Sequence, residues 1–189
     1  MRIASRLLIA AALAAVPLSA GLAQTIVPVG PFRSVELRGG GHVTLHNGPA
    51  QRVVLNAGNL QYTSFRNEDG SLVIDACNNS CPNGRYDLEI DIATPRLDGV
   101  AVEGGGSIVG DPDLPVQNLH AAVKGGGLID MRAVHAQTVD AAVEGGSHIQ
   151  IFAQSALRAA VSGGGHIEYW GHPNLATAIS GGGDIRPGH

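Results

Sequence analysis

The sequence is poor in aromatic residues, with three Phe, three Tyr and one Trp among 189 residues. So few rings argue against a continuous stacking platform for bases or sugars. Basic residues are also scarce, with 12 Lys and Arg against 16 Asp and Glu, and the net charge is −4. This balance argues against a polyanion such as nucleic acid as partner. No apolar run reaches the ~20 residues of a membrane-spanning helix, which argues against integral membrane insertion.

The longest apolar run lies near the N-terminus, at residues 7–16. It follows Arg2 and Arg6 and precedes small residues around Ala20 and Ala23. This charged, apolar and small-residue order is typical of a secretory signal peptide. We predict cleavage after Ala23, with cleavage after Ala20 as the alternative.

The only cysteines are Cys77 and Cys81, and neither lies near enough to the cleavage site to accept a lipid anchor. The chain therefore divides into a signal peptide over residues 1–23 and a single domain over residues 24–189, expected in the periplasm or at the cell surface. In that oxidising setting the two cysteines predict a disulfide that staples a short loop. The alternative is a redox pair, although the spacing is CxxxC rather than CxxC.

Glycine is abundant, with 27 residues, and its clusters follow short apolar alternations. The last five clusters recur at a nearly constant spacing, and their first glycines are Gly104, Gly125, Gly145, Gly163 and Gly181. The first cluster begins much earlier, at Gly39, about three such spacings before the second. A period of about twenty residues indicates stacked units, each too small to bury a core alone.

Each copy of the repeat has the same local pattern. Alternation with period two predicts strands, and the glycines permit a tight corner between them. The copies are VELRGGGHVTL from Val35, VAVEGGGSIVG from Val100, AAVKGGGLIDM from Ala121, AAVEGGSHIQI from Ala141, AAVSGGGHIEY from Ala159 and TAISGGGDIRP from Thr177.

Alternation also predicts which side chains point inward, because successive side chains of a strand lie on opposite faces. The outward face carries charges whose signs alternate between copies, as direct stacking of neighbouring coils favours. The inward set is Leu119, Ala121, Val123, Val139, Ala141, Val143, Leu157, Ala159, Val161, Leu175, Thr177 and Ile179 before the corners, and Ile108, Ile129, Ile149, Ile167 and Ile185 after them. The outward ladders are Glu103, Lys124, Glu144, Ser162 and Ser180, and His120, Asp140, Arg158 and Ala176.

The span before the second glycine cluster is less regular. Strand-like stretches at residues 52–55, 71–75 and 86–92 fit roughly two divergent coils, which would account for the long first step. Phe32 and Leu97 each lie seven residues before the first glycine of their cluster, a feature that later copies lack. We therefore expect two related half-solenoids with no linker between them.

Alternating strand, glycine corner and alternating strand, following a signal peptide, resemble the head GIN domain family, often labelled putative auto-transporter adhesin. The matching features are the segment FRSVEL from Phe32, Leu60, the segment GSLVI from Gly70 and the five later glycine corners. This sequence has Gly-Gly-Gly where the family commonly has Gly-Ser-Gly. The resemblance implies an all-β, single-domain, right-handed parallel β-helix-like solenoid with glycine-rich corners, without an agreed activity.

A polysaccharide-cleaving β-helix enzyme is the catalytic alternative, and it needs converging carboxylates or a base with cations. Asp130, Gln150, Glu168 and Arg186 form an outward ladder that offers such groups. A cross-coil salt bridge between Glu168 and Arg186 is the favoured explanation. We predict a non-enzyme without a cofactor, acting as a binding or adhesion module for a surface glycan or an envelope protein. A purely structural envelope role fits the architecture equally well.

The residue before the corner isoleucine is His148, His166 and Asp184 in the last three copies. We expect these side chains to stack on the outer face, where two imidazoles and a carboxylate are suitable ligands for a divalent transition metal. A rung spacing of ~4.8 Å is wider than two ligands of one ion prefer. A solvated polar ladder is therefore the favoured interpretation, and no metal cofactor is predicted.

Overall fold

The computed structural model describes residues 24–77, 81 and 86–189. These residues form fifteen strands in one sheet and no helix, which confirms the prediction of an all-β protein. The predicted signal peptide, residues 1–23, lies outside the described residues. In chain order the strands are β1 Thr25–Val27, β2 Ser34–Gly39, β3 His42–Asn47, β4 Arg52–Ala57, β5 Ser64–Glu68, β6 Ser71–Asp75, β7 Glu89–Thr94, β8 Gly99–Gly104, β9 Ser107–Gly110, β10 Asn118–Gly125, β11 Leu128–Gly145, β12 His148–Gly163, β13 His166–Trp170, β14 Asn174–Gly181 and β15 Asp184–Pro187.

Neighbouring copies of the repeat pair strand to strand, in parallel and in register. Before the corner, Val123 of β10 lies opposite Val102 of β8 and Val143 of β11. β12 and β14 continue this row with Val161 and Ile179. After the corner, β9, β11, β12, β13 and β15 align the isoleucines in a second row. One period of the later sequence repeat therefore corresponds to one layer of strands.

The core lies between these rows and contains the small and β-branched side chains of the inward set. From Ile108 to Ile167, every member of that set before the last copy is buried. Ile129 and Ile149 are fully inaccessible to solvent. The predicted direction of these side chains is confirmed.

The three positions of a glycine corner meet different physical demands. The first glycine has a positive φ, 113° at Gly163, which L side chains rarely adopt. A Cβ at the third position, Gly165, would lie 2.3 Å from Cγ1 of Val143. At the middle position, Gly164, no heavy atom lies within 4 Å of an added Cβ. A serine in the middle of the corner is therefore compatible with this geometry.

The long first step of the repeat contains two layers of strands, as predicted, but these layers do not lie between the first and second copies. β2 lies directly beside β8, with Gly39 opposite Gly104, and β3 lies beside β9. The intervening residues build two layers on the far side, and in the first of them β6 pairs with β2 and β7 with β3. β1, β4 and β5 then pair antiparallel at that end of the sheet. After β3 the chain builds layers on one side of β2 and β3, and then returns to form β8 and β9 on their other side. Two strands far apart in sequence can therefore be neighbours in the sheet.

The last copy of the repeat does not have the closed interior that was predicted. Its residues Leu175 and Ile179 are 45% and 51% exposed, and Thr177 is exposed as well. β14 pairs with β12 alone among the described strands. These side chains continue the inward row, but no further layer of the described residues lies over them.

Candidate functional site

A column of alanines follows the outward face of the strands before the corner. Alternation turns these residues outward because their neighbours in sequence point into the core. The alanines are exposed and form the floor of a shallow apolar groove with a volume of about 500 Å³. We call this surface the alanine groove, and its floor is Ala122, Ala142, Ala160 and Ala178.

Charged ladders border the alanine groove on both sides. On one side, His120 Nδ1 lies 3.5 Å from Asp140 Oδ2, and Arg158 Nη1 donates to Asp140 Oδ1 at 3.4 Å. On the other side, Lys124 lies opposite both Glu103 and Glu144. The predicted alternation of sign between copies is therefore present. The two charged ladders form polar rims on either side of the apolar floor.

The predicted polar ladder lies on the other outward face, after the corner. The register places His148 beside His166, and His166 beside Asp184. The two imidazole centroids are 5.3 Å apart, and His166 Nδ1 contacts Asp184 Oδ1. The hydrogen bond with His166 lowers the pKa of Asp184 below its ordinary value. Among the described residues, no three His, Cys, Asp or Glu side chains form a group that could hold a metal ion.

Beside that ladder, the register brings together Asp130, Gln150, Glu168 and Arg186. Gln150 Nε2 donates to Glu168 Oε2 at 3.0 Å, and Arg186 Nη2 donates to Glu168 Oε1 at 2.6 Å. These two hydrogen bonds lower the pKa of Glu168. Asp130 instead accepts a hydrogen bond from Arg132 Nη2 at 2.6 Å. A carboxylate that is held ionised is poorly suited to donate the proton that glycoside cleavage requires.

The sequence repeat did not predict a column of rings on this face, which is formed by His135, Phe152 and Trp170 on β11, β12 and β13. The His135 and Phe152 rings stack with centroids 4.2 Å apart. Trp170 has the Arg132 guanidinium carbon 5.6 Å from its ring centroid, and a Cβ on Gly188 would lie 2.1 Å from its ring carbons. The rings therefore stack along the outward face, with His135 exposed and Phe152 and Trp170 partly buried. A register shift on β11 before His135 makes the sequence spacing of the first pair shorter than that of the second, which a fixed period overlooks.

The structure joins Cys77 and Cys81 by a disulfide, with their Cα atoms 5.7 Å apart. Both lie in the connection between β6 and β7, the two strands of the layer beside β2 and β3. Residues 78–80 and 82–85 of this connection lie outside the described residues. The disulfide closes a short loop within this connection, between residues four apart in sequence.

The chain is thus an all-β protein of stacked strands joined by glycine corners. Its exposed polar and charged side chains form ladders that run from one layer to the next. The chain belongs to a family that shares this description. The family is "Putative auto-transporter adhesin, head GIN domain", and it matches residues 31–121 and 115–173. The resemblance recognised from the glycine corners is confirmed.

Several solved structures are similar to the chain. A putative adhesin of Bacteroides fragilis NCTC 9343 is 18% identical with a TM-score of 0.52, over 89% of this chain and 98% of that one, which shows a shared fold. A putative lipid binding protein of Parabacteroides distasonis ATCC 8503 is 16% identical with a TM-score of 0.39, over 88% and 96% of the two chains. A putative adhesin of Parabacteroides merdae ATCC 43184 is 12% identical with a TM-score of 0.40, over 90% and 98%. No protein of curated function matches the chain.

Proposed function

We propose that the protein is an exported, non-catalytic binding module and that the alanine groove is its contact surface. The observation that carries this proposal is the exposed apolar floor, four alanines long, between two charged rims. Apolar surface with a polar rim is typical of interaction sites. Membership of a family described as adhesins supports a surface molecule as the ligand.

The proposed scaffold is one right-handed parallel β-solenoid domain over residues 24–189. Parallel pairing between copies one period apart in sequence supports it, because each copy then advances the chain by one layer. Right-handed crossovers are the rule for parallel strands of one sheet. A rigid stack of this kind holds the four floor alanines in line.

Export to the periplasm or cell surface is proposed on two grounds. The first is the signal-peptide pattern of residues 1–23. The second is the disulfide between Cys77 and Cys81, a bond that persists in oxidising compartments. Over the described part of the chain, no helix has the length and hydropathy to cross a bilayer.

The proposed ligand is a surface glycan or an envelope protein. The alanine groove is open and shallow, so it suits an extended chain laid over several strands better than a small molecule that must be enclosed. One rim pairs the opposite charges of Asp140 and Arg158, and such a mixed rim does not favour a polyanion. The ligand is therefore expected to combine apolar contact with scattered polar groups.

Retention of the purified protein on immobilised cell-wall glycans, surface glycans and envelope proteins tests the proposal. Ala142→Arg places a long charged side chain on the groove floor, so it should weaken binding at least ~10-fold by loss of contact. Ala142→Ser is the matched control at the same position, because it keeps the floor open and should bind like wild type. Gln137→Arg adds the same charge at an exposed position outside the groove, and should also bind normally.

The competing functions give different results in the same experiment. Binding that survives Ala142→Arg would reject the alanine groove as the contact surface. Absence of any retained polymer or protein would favour a purely structural envelope role. Release of fragments from an acidic polysaccharide would establish an enzyme, for which the paired Glu168 gives no support.

A further inference from the structure

The two ends of the stack of strands are built differently, and the N-terminal end is closed. There the antiparallel strands β1 and β4 bury their inward side chains Val27, Val53 and Leu55. The edge strand β5 carries Arg66 and Glu68, whose Nε and Oε1 atoms lie 2.8 Å apart. Charged side chains on an edge strand discourage pairing with a further strand.

The C-terminal end is open. β14 pairs with β12 and β15 with β13, and neither has a second partner among the described strands. Leu175 and Ile179 are 45% and 51% exposed, whereas Leu157 and Val161, at the same positions one layer earlier, are 0% and 2% exposed. Stacked repeats need a terminal unit with a polar outer face to remain separate in water. β14 does not provide such a face.

We propose that a second copy of this chain covers the open end, with the two β14 strands antiparallel across a twofold axis at Thr177. In this register Thr177 lies opposite Thr177 of the other copy, and Leu175 of each copy lies opposite Ile179 of the other. Inward side chains then meet inward side chains, and apolar surface of both copies leaves water. β14 reads NLATAISG and contains no charged residue, so no like charges oppose each other along the pair of β14 strands. β15, the second edge strand of this end, carries Asp184 and Arg186, and these two side chains form an ion pair with each other.

The C-terminal end of a second copy fits this edge better than the N-terminal end does. A twofold contact uses the same patch on both copies and is complete after two chains. Head-to-tail stacking would instead place the uncharged β14 edge against the edge that carries Arg66 and Glu68, and would continue into a filament. The dimer leaves the floor of the alanine groove facing outward, so this inference is independent of the proposed ligand.

Sedimentation equilibrium of the protein purified after expression of the full chain tests for the dimer. Wild type should show twice the monomer mass, and Ile179→Arg should show the monomer mass, because it places a guanidinium group of each copy in the apolar contact. Ala178→Arg is the matched control: it adds the same charge one residue away, on the outward face, and should remain dimeric. Ile179 is 51% exposed in the single chain, so its substitution should lower the melting temperature of the monomer only slightly. A monomeric wild type at about 100 µM, or a dimer that Ile179→Arg does not affect, would overturn the proposal.

A cysteine scan tests the register. The native cysteines are joined to each other, so Thr177→Cys introduces the only free thiol of the chain. Residues directly opposite in antiparallel strands have Cα atoms about 4.5–5.5 Å apart, within the range that a disulfide spans. Mild oxidation should cross-link Thr177→Cys into a dimer and leave Ala178→Cys largely unlinked, because residues 178 of the two copies lie diagonally and on the outward face. Equal cross-linking of both variants, or of neither, would refute the twofold pairing at Thr177.

Discussion

The corner glycines show how one residue type meets two separate requirements. Gly163 has φ 113°, and a Cβ there would lie 2.8 Å from the carbonyl oxygen of Gly145, which belongs to a paired strand and cannot easily move. Gly164, the next residue, has open space around it. Of these two neighbours, only Gly163 is therefore required to be glycine by both its backbone angle and the close approach of two layers.

Gly163→Ser should reduce the free energy of unfolding by about 2 kcal/mol or more, because it combines a strained φ with a backbone clash. Gly164→Ser should change it by less than ~0.5 kcal/mol. Urea denaturation of the two variants gives both values. Equal losses would show that the middle position is constrained by contacts other than those described.

The ionised state of Glu168 predicts a dependence of stability on pH. Its pKa is lowered by the hydrogen bonds from Gln150 and Arg186. A carboxylate with a lowered folded pKa stabilises the fold above its unfolded pKa, and this stabilisation is lost as the pH falls through the folded value. Wild type should therefore melt at a higher temperature than Glu168→Gln at pH 7, and the difference should shrink below about pH 4.

Glu89→Gln is the matched control for this pH series. Glu89 is exposed on β7 and forms no ion pair within the described part of the chain. Its substitution should leave the melting temperature close to that of wild type at every pH. A Glu168→Gln difference that stayed constant into acid would show that the charge of Glu168 is not the source of the stabilisation.

The strands themselves depend on alternation, and β12 allows a direct comparison of its two faces. Val161 is 2% exposed and lies in the inward row, whereas the next residue, Ser162, is exposed. Val161→Asp would bury an unpaired carboxylate and should cost more than about 3 kcal/mol, while Ser162→Asp should be tolerated. Thermal melts of the two variants measure the difference. A greater loss for Ser162→Asp would mean that the assigned faces are reversed.

The sequence predicted the strands of the later copies well, because there one repeat in the sequence corresponds to one layer in the structure. Val123, Val143 and Val161 were assigned to one row from their distance to a glycine corner, and they lie in one row. The same rule failed for Gly39 and Gly104, which are far apart in the sequence but adjacent in the sheet. Period reveals stacking only where the chain advances one layer at a time. β5 reads SFRNE and contains a single apolar residue, so alternation did not predict that strand.

The candidate site was only partly visible in the sequence. The charged rims followed from alternation, and the register of His148, His166 and Asp184 follows the predicted ladder. The alanine groove was not recognised, because alanine suits both an interior and an outward face and its small size does not distinguish them. The exposure of Leu175 and Ile179 could not be inferred either, since the last copy has the same alternation of apolar and polar residues as the buried copies before it. Only the position of a copy in the stack decides whether it is covered.

For the molecule as a whole, the placement of β2 and β3 between two other layers affects how the chain folds. Each later layer joins a partner one period away in sequence, so it can form as soon as the preceding layer exists. The contact of β2 with β8 instead closes a loop roughly three times longer, which costs about 1 kcal/mol more in entropy. Contacts between residues far apart in sequence also form slowly. The C-terminal layers can thus assemble from contacts one period apart, whereas the pairing of β2 with β8 raises the contact order and is expected to form later.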